Sequence, residues 1–276
     1  MSVQVRKADG DLEAFKVSKL KLSLKRAGAT NSEVTDIVGK IESILHDGIR
    51  TQEIYSYAFE LLRDSETPIA ARYSLRRALF GLGPTGFPFE DFIARLLQKE
   101  GYTTATRVTL QGKCAEHELD VAAYTDQHSM VVEAKFHARP GIKSDLQVVL
   151  YSFARLIDLQ EQKICHQDHC GIKELMVVTN TKFTHTAERY AECSGLSLLS
   201  WDYPKNNSLQ DRIQNAHLYP ITVLQTLSQS QKRALIERGI IVCKDILEKP
   251  RTLRHIHLSQ KRTESVLAEA NKLCTS

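Results

Sequence analysis

Val3-Gln4-Val5-Arg6-Lys7 reads as a strand, Asp9-Gly10 as a reversal, and the residues around Glu13-Ala14-Phe15 as a second short strand. Beyond that hairpin the apolar positions switch to helical spacing. Ser18 is a candidate N-cap for a helix with Leu20, Leu24 and Ala27 on one side and Gly28 at its end. Amphipathic helices are predicted around 32–46, 51–64 and 68–80, and Gly81-Leu82-Gly83-Pro84-Thr85-Gly86 is a turn-rich joint. A second region starts there. Pro88 opens a helix where its missing N–H costs nothing, and Phe89, Phe92, Ile93, Leu96 and Leu97 form its buried stripe until Gly101.

Two strands follow, 117–124 and 130–137, rich in β-branched or apolar residues and separated by the polar break Asp126-Gln127-His128-Ser129. Gly141 and Ser144 introduce a helix with an apolar stripe of Leu146, Val149, Leu150, Phe153 and Ile157. Leu175 to Val178 is a buried strand, Thr184 to Ser194 a helix stopped by Gly195, and Leu196 to Trp201 a further strand. Strand pair, helix, strand, helix, strand gives an α/β (mixed α+β) fold, a mixed sheet flanked by helices. From 204 onward the pattern is helical in two pairs, the first turning at Gly239-Ile240 and the second at Ile256-His257-Leu258-Ser259. The boundaries fall at 1–84, 85–203 and 204–276.

Chemistry concentrates on the strand pair. Folding it about a turn near Gln127 puts Asp120 roughly opposite Ala134, while strand alternation gives Glu133 and Lys135 a common face. Two carboxylates and an ammonium then converge. Such acids can hold Mg²⁺ (or Mn²⁺), which takes hard oxygen ligands and leaves room for water and phosphate. The lysine can orient the attacking water and offset phosphate charge. Asp120 followed by Glu133-x-Lys135 resembles the PD-(D/E)xK nuclease signature, and Gly112 with His117-Glu118-Leu119-Asp120 resembles its Mrr-type restriction endonuclease branch. Thr179-Asn180-Thr181 and Trp201-Asp202-Tyr203-Pro204 look like Mrr-type members fused to ATP-cones, so the likeness covers about 85–203. It implies a metal-dependent DNA endonuclease with Asp120 and Glu133 as metal ligands and Lys135 assisting the water. Glu90 matches an acid that approaches the metal from the first helix of such folds; a dipole-stabilising residue near that helix's N-terminus is the other reading. Gln147-x-x-x-Tyr151 resembles an element that sits by the active site and touches DNA.

The segment Val5-x-Lys7-x-Asp9-Gly10-x-x-Glu13-x-Phe15-x-x-x-Lys19-Leu20 resembles the ATP-cone. The resemblance implies phosphate contacts from Lys7 and Lys19, with Glu13 fixing the nucleoside of an adenine nucleotide, ATP or dATP. The family usually carries a second basic residue before Asp-Gly; here Ala8 stands there, which bears on affinity and triphosphate preference. No Gly-x-x-x-x-Gly-Lys-Ser/Thr loop occurs, so the nucleotide is expected as an effector and not a fuel. A nucleotide-driven change of assembly makes a homo-oligomer the expected state. The tail resembles the helix-hairpin-helix group, lacks the second glycine, and is open to either DNA contact or a structural role.

Charge refines this picture only at the ends. Residues 85–203 hold 12 basic and 16 acidic residues, whereas 204–276 hold 12 basic and 6 acidic, a modest attraction for a polyanion. Hydrophobic residues at 42% and charged residues at 25% are ordinary for a globular protein. No run of 18 apolar residues suggests a membrane span, and no apolar N-terminal stretch suggests export, so a cytoplasmic location without membrane partners is expected. Cys165-His166-Gln167-Asp168-His169-Cys170 has one ligand pair without a second, and is read as an exposed loop, not a zinc site. A catalytically silent, nucleotide-responsive DNA-binding regulator is the alternative to the nuclease, and the intact Asp120, Glu133 and Lys135 argue against it.

Overall fold

The computed structural model describes residues 3–65, 67–164 and 171–275; the Cys165-to-Cys170 stretch lies outside the described residues. The chain opens with β1 (Gln4–Arg6) and β2 (Leu12–Ala14), antiparallel with Val5 opposite Glu13. Gly10 makes their turn at φ 94°, a left-handed conformation that glycine adopts without steric cost. Helix α1 (Val17–Arg26) starts ahead of the expected cap: Lys16, in extended backbone, precedes it without a side-chain cap, so Ser18 already lies inside the helix. Helix α2 (Asn31–Glu42) begins on a capping box between Thr30 and Glu33. The two-residue β3 (Ile49–Arg50), too short to leave a pattern, joins β1 in parallel. Helices α3 (Thr51–Ser65) and α4 (Thr67–Tyr73) complete a small core in which Leu24, Ile41, Ala58 and Leu62 are fully buried. Helix α5 (Leu75–Phe80) follows a break at Ser74 and leads into the joint.

Helix α6 (Phe87–Lys99) buries the expected aromatic stripe. A strand that the sequence reading passed over comes next, β4 (Thr103–Gln111), whose residues alternate between exposed and half-buried along its whole length. Its alternation of Thr, Ala and Val carried the signal, weak because an edge strand needs only one modestly apolar face. Then come β5 (Glu116–Tyr124), β6 (Ser129–Lys135), β7 (Lys143–Ser144), α7 (Leu146–Leu159), β8 (Glu174–Thr179), β9 (Lys182–Phe183), α8 (His185–Ser194) and β10 (Ser197–Leu199). The main sheet runs β10-β8-β6-β5-β4, parallel from β10 to β6 and antiparallel from β6 to β4. One face packs on α6 and the C-terminal helices through Val121, Val132, Phe89 and Phe92. The other packs on α7 and α8 through Val131, Val177, Val149 and Ala187. This is the expected mixed sheet between helical layers.

Helix α7 departs from its expected stripe. Asp145, not Ser144, caps it, accepting from the N–H groups of Gln147 and Val148. Ser144 is instead buried in the β7–β9 ribbon. The buried side chains are Val149, Ser152, Leu156 and Leu159, while Leu150 and Ile157 are 42% and 53% exposed. Ser152 can enter the core on this face because its hydroxyl is satisfied within the helix, donating to the Val148 carbonyl at 2.9 Å.

The remaining chain forms α9 (Leu209–Asn215), a 3₁₀ turn Ile221–Val223, α10 (Gln229–Ile236), α11 (Cys243–Glu248), a 3₁₀ segment Pro250–Ile256 and α12 (Gln260–Thr275). Its apolar residues share the core of the first sheet face. Arg95 of α6 donates to buried Asp245 at 3.0 Å and Arg212 pairs with Glu100, tying the two regions together. His257 takes φ 51° at the second turn, the conformation that a glycine would hold more cheaply. No helix among the described residues is long and apolar enough to cross a membrane.

Candidate active site

β5 and β6 are adjacent central strands, and pairing is in register from Tyr124–Ser129 to Val121–Val132. That register centres the turn between Asp126 and Gln127, half a residue earlier than expected, so continuing the ladder would set Asp120 against Glu133. The ladder stops one step short. There Asp120 Oδ2 accepts a 2.7 Å hydrogen bond from the Ala134 N–H, so its carboxylate replaces a strand partner. The strand is distorted at this point: Leu119 packs in one core and Val121 in the other, although side chains two apart normally share a face. Across from Asp120, Arg107 of β4 has φ 54°, and the β4–β5 ladder pairs Thr106 and Val108 but skips it.

Glu133 is only 3% exposed, and its two oxygens are taken by Lys135 and by Arg155 of α7. The Glu133–Lys135 pair follows from β6 alternation. Arg155 does not; sequence spacing puts it in line with Gln147 and Tyr151 but gives no sign that it reaches a strand residue. Its guanidinium also donates to Tyr151 Oη at 3.0 Å and lies 4.8 Å from the Tyr151 ring centroid. Gln147 stands apart, exposed on the first turn of α7, with no side-chain hydrogen bond among the described residues.

Burial and the neighbouring charge of Glu133 push the Asp120 carboxyl above its ordinary range, against the Ala134 N–H, Lys135 and Arg155. Glu90 is raised by burial and then by Asp120, so it lies close enough to feel that charge; Arg107 opposes the shift, donating to Glu90 Oε2 at 3.2 Å and to Asp91 at 2.9 Å. Three acids thus crowd one region. Among the described residues no group of three or more His, Cys, Asp or Glu is gathered closely enough to hold a metal ion, and Glu90 stands beside the Asp120 and Glu133 carboxylates. Asp120 and Glu133 remain as the residues that could hold a metal. Hard oxygen donors whose mutual repulsion raises one of them suit a divalent cation that completes its shell with water and phosphate.

Three local devices fix this geometry. Asn180 is fully buried after β8 and makes a reciprocal pair with the backbone of His137, accepting from its N–H and donating to its carbonyl, both at 2.9 Å. That clamp holds the chain immediately beyond Lys135. His137 Nε2 lies 3.0 Å from Ser144 Oγ, and burial followed by the nearby Lys135 lowers the imidazole. At the other end of β5, Asp158 of α7 accepts from the N–H groups of Cys114 and Ala115 at 2.7 and 3.1 Å and lies 2.8 Å from His117 Nε2. A Cβ on Gly112 would come 2.2 Å from Asp158 Oδ2, so the glycine lets the carboxylate reach the β4–β5 hairpin. Thr179-Asn180-Thr181 and the Gly112-to-His117 stretch thereby acquire a physical reason: they anchor the strands that carry Asp120, Glu133 and Lys135.

Three family models match the chain, ATP cone domain over residues 3–79, Restriction endonuclease of the Mrr catalytic type over 84–203, and AF1548-like, C-terminal over 219–274. An uncharacterized protein of Archaeoglobus fulgidus is 35% identical over 182 residues, 66% of this chain and 99% of that protein. The chain belongs to the Mrr-type restriction endonuclease family. The crystal structure of AF1548, a protein of unknown function, is similar with a TM-score of 0.56 and 33% identity, covering 69% of this chain and 98% of that one. The Mrr-type match contains Glu90, Asp120, Glu133, Lys135 and Gln147, and the ATP-cone match contains Lys7, Glu13 and Lys19.

In this Mrr-type chain the ATP-cone residues converge as closely as those on β6. Glu13 of β2 bridges Lys7 and Lys19, one ammonium on each carboxylate oxygen. The two lysines, Lys19 first, hold the Glu13 carboxyl down at about 2, and Glu13 raises Lys7 in turn. These residues line a cleft of about 360 Å³, whose opposite wall is built from the Mrr-type domain.

Proposed function

We propose that this chain is a Mg²⁺- or Mn²⁺-dependent DNA endonuclease under the control of an adenine nucleotide, ATP or dATP, bound at Lys7, Glu13 and Lys19. The three-part division 1–84, 85–203 and 204–276 separates nucleotide sensing, phosphodiester hydrolysis and a helical tail. The observation that carries the reading is the meeting of Glu133 and Lys135 on β6 beside Asp120, whose carboxylate is pinned by the Ala134 N–H. Asp120 and Glu133 would hold the ion. When bound, it supplies charge stabilisation at the phosphate and a more acidic water.

The protein's own groups do the rest. The Ala134 N–H fixes the aim of Asp120. Arg155 and Lys135 each pair with one oxygen of the buried Glu133 and so hold its carboxylate in place. Lys135 is the more exposed of the two cations, with 37% of its side chain accessible, so it can leave Glu133 for the attacking water and the phosphate oxygens. Glu90 is the third acid beside the site, and Gln147, exposed on α7, contacts the DNA. The protein acts as a homo-oligomer in the cytoplasm.

Plasmid nicking with Mg²⁺ tests this. Asp120→Ala and Lys135→Ala should abolish cleavage while DNA binding and nucleotide binding persist. Cleavage at the parent rate by either variant would remove the catalytic assignment. Persistent DNA binding by a parent protein that never cuts, with either cation and either nucleotide, would favour the silent regulator instead.

A further inference from the structure

The cleft lined by Lys7, Glu13 and Lys19 does not belong to the ATP-cone alone. Its far wall consists of the 140–143 loop, Thr181 and Lys182 from the Mrr-type domain, with Arg76 of α5 at the seam. The walls touch: a Cβ on Gly141 would lie 3.4 Å from the backbone N and from Cβ of Asp9, in the β1–β2 turn. Its volume of about 360 Å³ falls within the roughly 300–1,000 Å³ typical of small-ligand sites.

The charges on the far wall are arranged without enough acids to match them. β7 and β9 run parallel with Lys143 in register with Lys182, and like charges placed across a strand pair are destabilising unless an anion lies between them. Lys182 is paired with Asp202, but Lys143 has no ion pair among the described residues. Arg76 sits 5.9 Å from the Trp201 ring centroid, and its buried Nε has no hydrogen-bond partner among the described residues. With Lys7 and Lys19, five cations line the space against the carboxylates of Asp9 and Glu13. A polyphosphate is the ligand that fits such a surplus.

We infer that the nucleoside polyphosphate is clasped between the two domains, its phosphates held by Lys143, Lys182 and Arg76 of the far wall together with Lys7 and Lys19. This rests on the reading of Lys7, Glu13 and Lys19 as a nucleotide site. The consequence is a direct route of control. The 140–143 loop links β6, which ends at Lys135, to α7, which carries Arg155; Thr181 and Lys182 follow Asn180, whose side chain clamps His137. A nucleotide in the cleft therefore bears on both segments that hold Lys135 and Glu133 in place, with no relay through the rest of the fold.

ATP and AMP affinities of the full chain, measured by titration calorimetry, test the inference for Lys7→Ala, Lys143→Ala and the Lys143→Ala/Lys182→Ala pair. Both far-wall lysines are exposed, so the variants keep the fold, checked by their melting curves. Loss of about tenfold in ATP affinity for Lys143→Ala, more for the pair, and little change for AMP is expected from lost charge-assisted phosphate contacts. Hydrogen exchange of the parent protein should also slow across 137–144 and 180–183 when ATP is added. If Lys7→Ala weakens ATP but the double variant binds like the parent and exchange is unchanged on the far wall, the clasp is overturned and the ATP-cone reading survives. If neither Lys7→Ala nor the far-wall variants alter ATP binding, both fall.

Discussion

Arg155→Ala isolates the least expected element of the site. Arg155 and Glu133 have side chains only 10% and 4% exposed, so their ion pair is shielded from solvent screening. Removing one member of a buried pair costs about 3–5 kcal/mol, mainly because the other charge is left unmatched. Two features reduce that figure here. Lys135 stays on the second oxygen, but as a partly exposed ion it returns only about 1 kcal/mol. Arg155 Nε is already buried without a partner, so its removal relieves a small penalty. A net loss of about 2–4 kcal/mol remains, which at about 2–4 °C per kcal/mol for a chain of this order lowers the melting temperature by roughly 4–16 °C. Arg155→Lys should lose less, since charge is retained. Glu133→Gln added to Arg155→Ala should recover part of the loss, because the stranded charge is then gone. Thermal unfolding followed by circular dichroism reads all four proteins. A melting temperature for Arg155→Ala within about 1 °C of the parent, with no recovery in the double variant, would refute the reasoning: Glu133 would then be hydrated and the pair would not hold it.

Asp120→Asn should raise the melting temperature at pH 7 while abolishing cleavage. Burial and Glu133 raise the folded-state pKa of Asp120, so its contribution is most favourable when protonated and is lost as pH rises through the raised value; the gain from Asn should vanish below the ordinary carboxylate range. Melting curves from pH 3 to pH 8, on the order of that carboxylate range and above it, check the sign. Asp158 works in the opposite direction: His117, and then the Cys114 and Ala115 amides, hold it down at about 2, so its stabilisation is present above the ordinary value and lost as pH falls towards about 2. Asp158→Asn should flatten that acid limb in urea titrations, and an unchanged limb would argue against the hook onto the β4–β5 hairpin. Asn180→Ala leaves the N–H and carbonyl of the half-buried His137 without their side-chain partner, which at no more than about 1–3 kcal/mol for each group should lower stability and depress cleavage more than DNA binding; equal loss of both activities would contradict a positioning role.

The sequence by itself determined several of the elements and the faces they offer. Alternation along 130–135 decided that Glu133 and Lys135 lie together, the aromatic spacing from Phe89 decided which side of α6 is buried, and Asp9-Gly10 decided the first turn. These are properties of backbone period and of a few residues with restricted or permissive φ, so they can be read locally. Tertiary structure decided the rest. Arg155 reaches Glu133 across 22 positions, Asp158 reaches Cys114 across 44, and Asn180 reaches His137 across 43. β4 found its place only by pairing with β5, and α7 buries Ser152 beside Val149 and Leu156 while the apolar Ile157 stays exposed. Lys143 came to face the ATP-cone cleft because β7 pairs with β9 and Gly141 packs on Asp9. Such pairings depend on how whole layers dock, and a charge carries no mark of its partner until burial brings the two together.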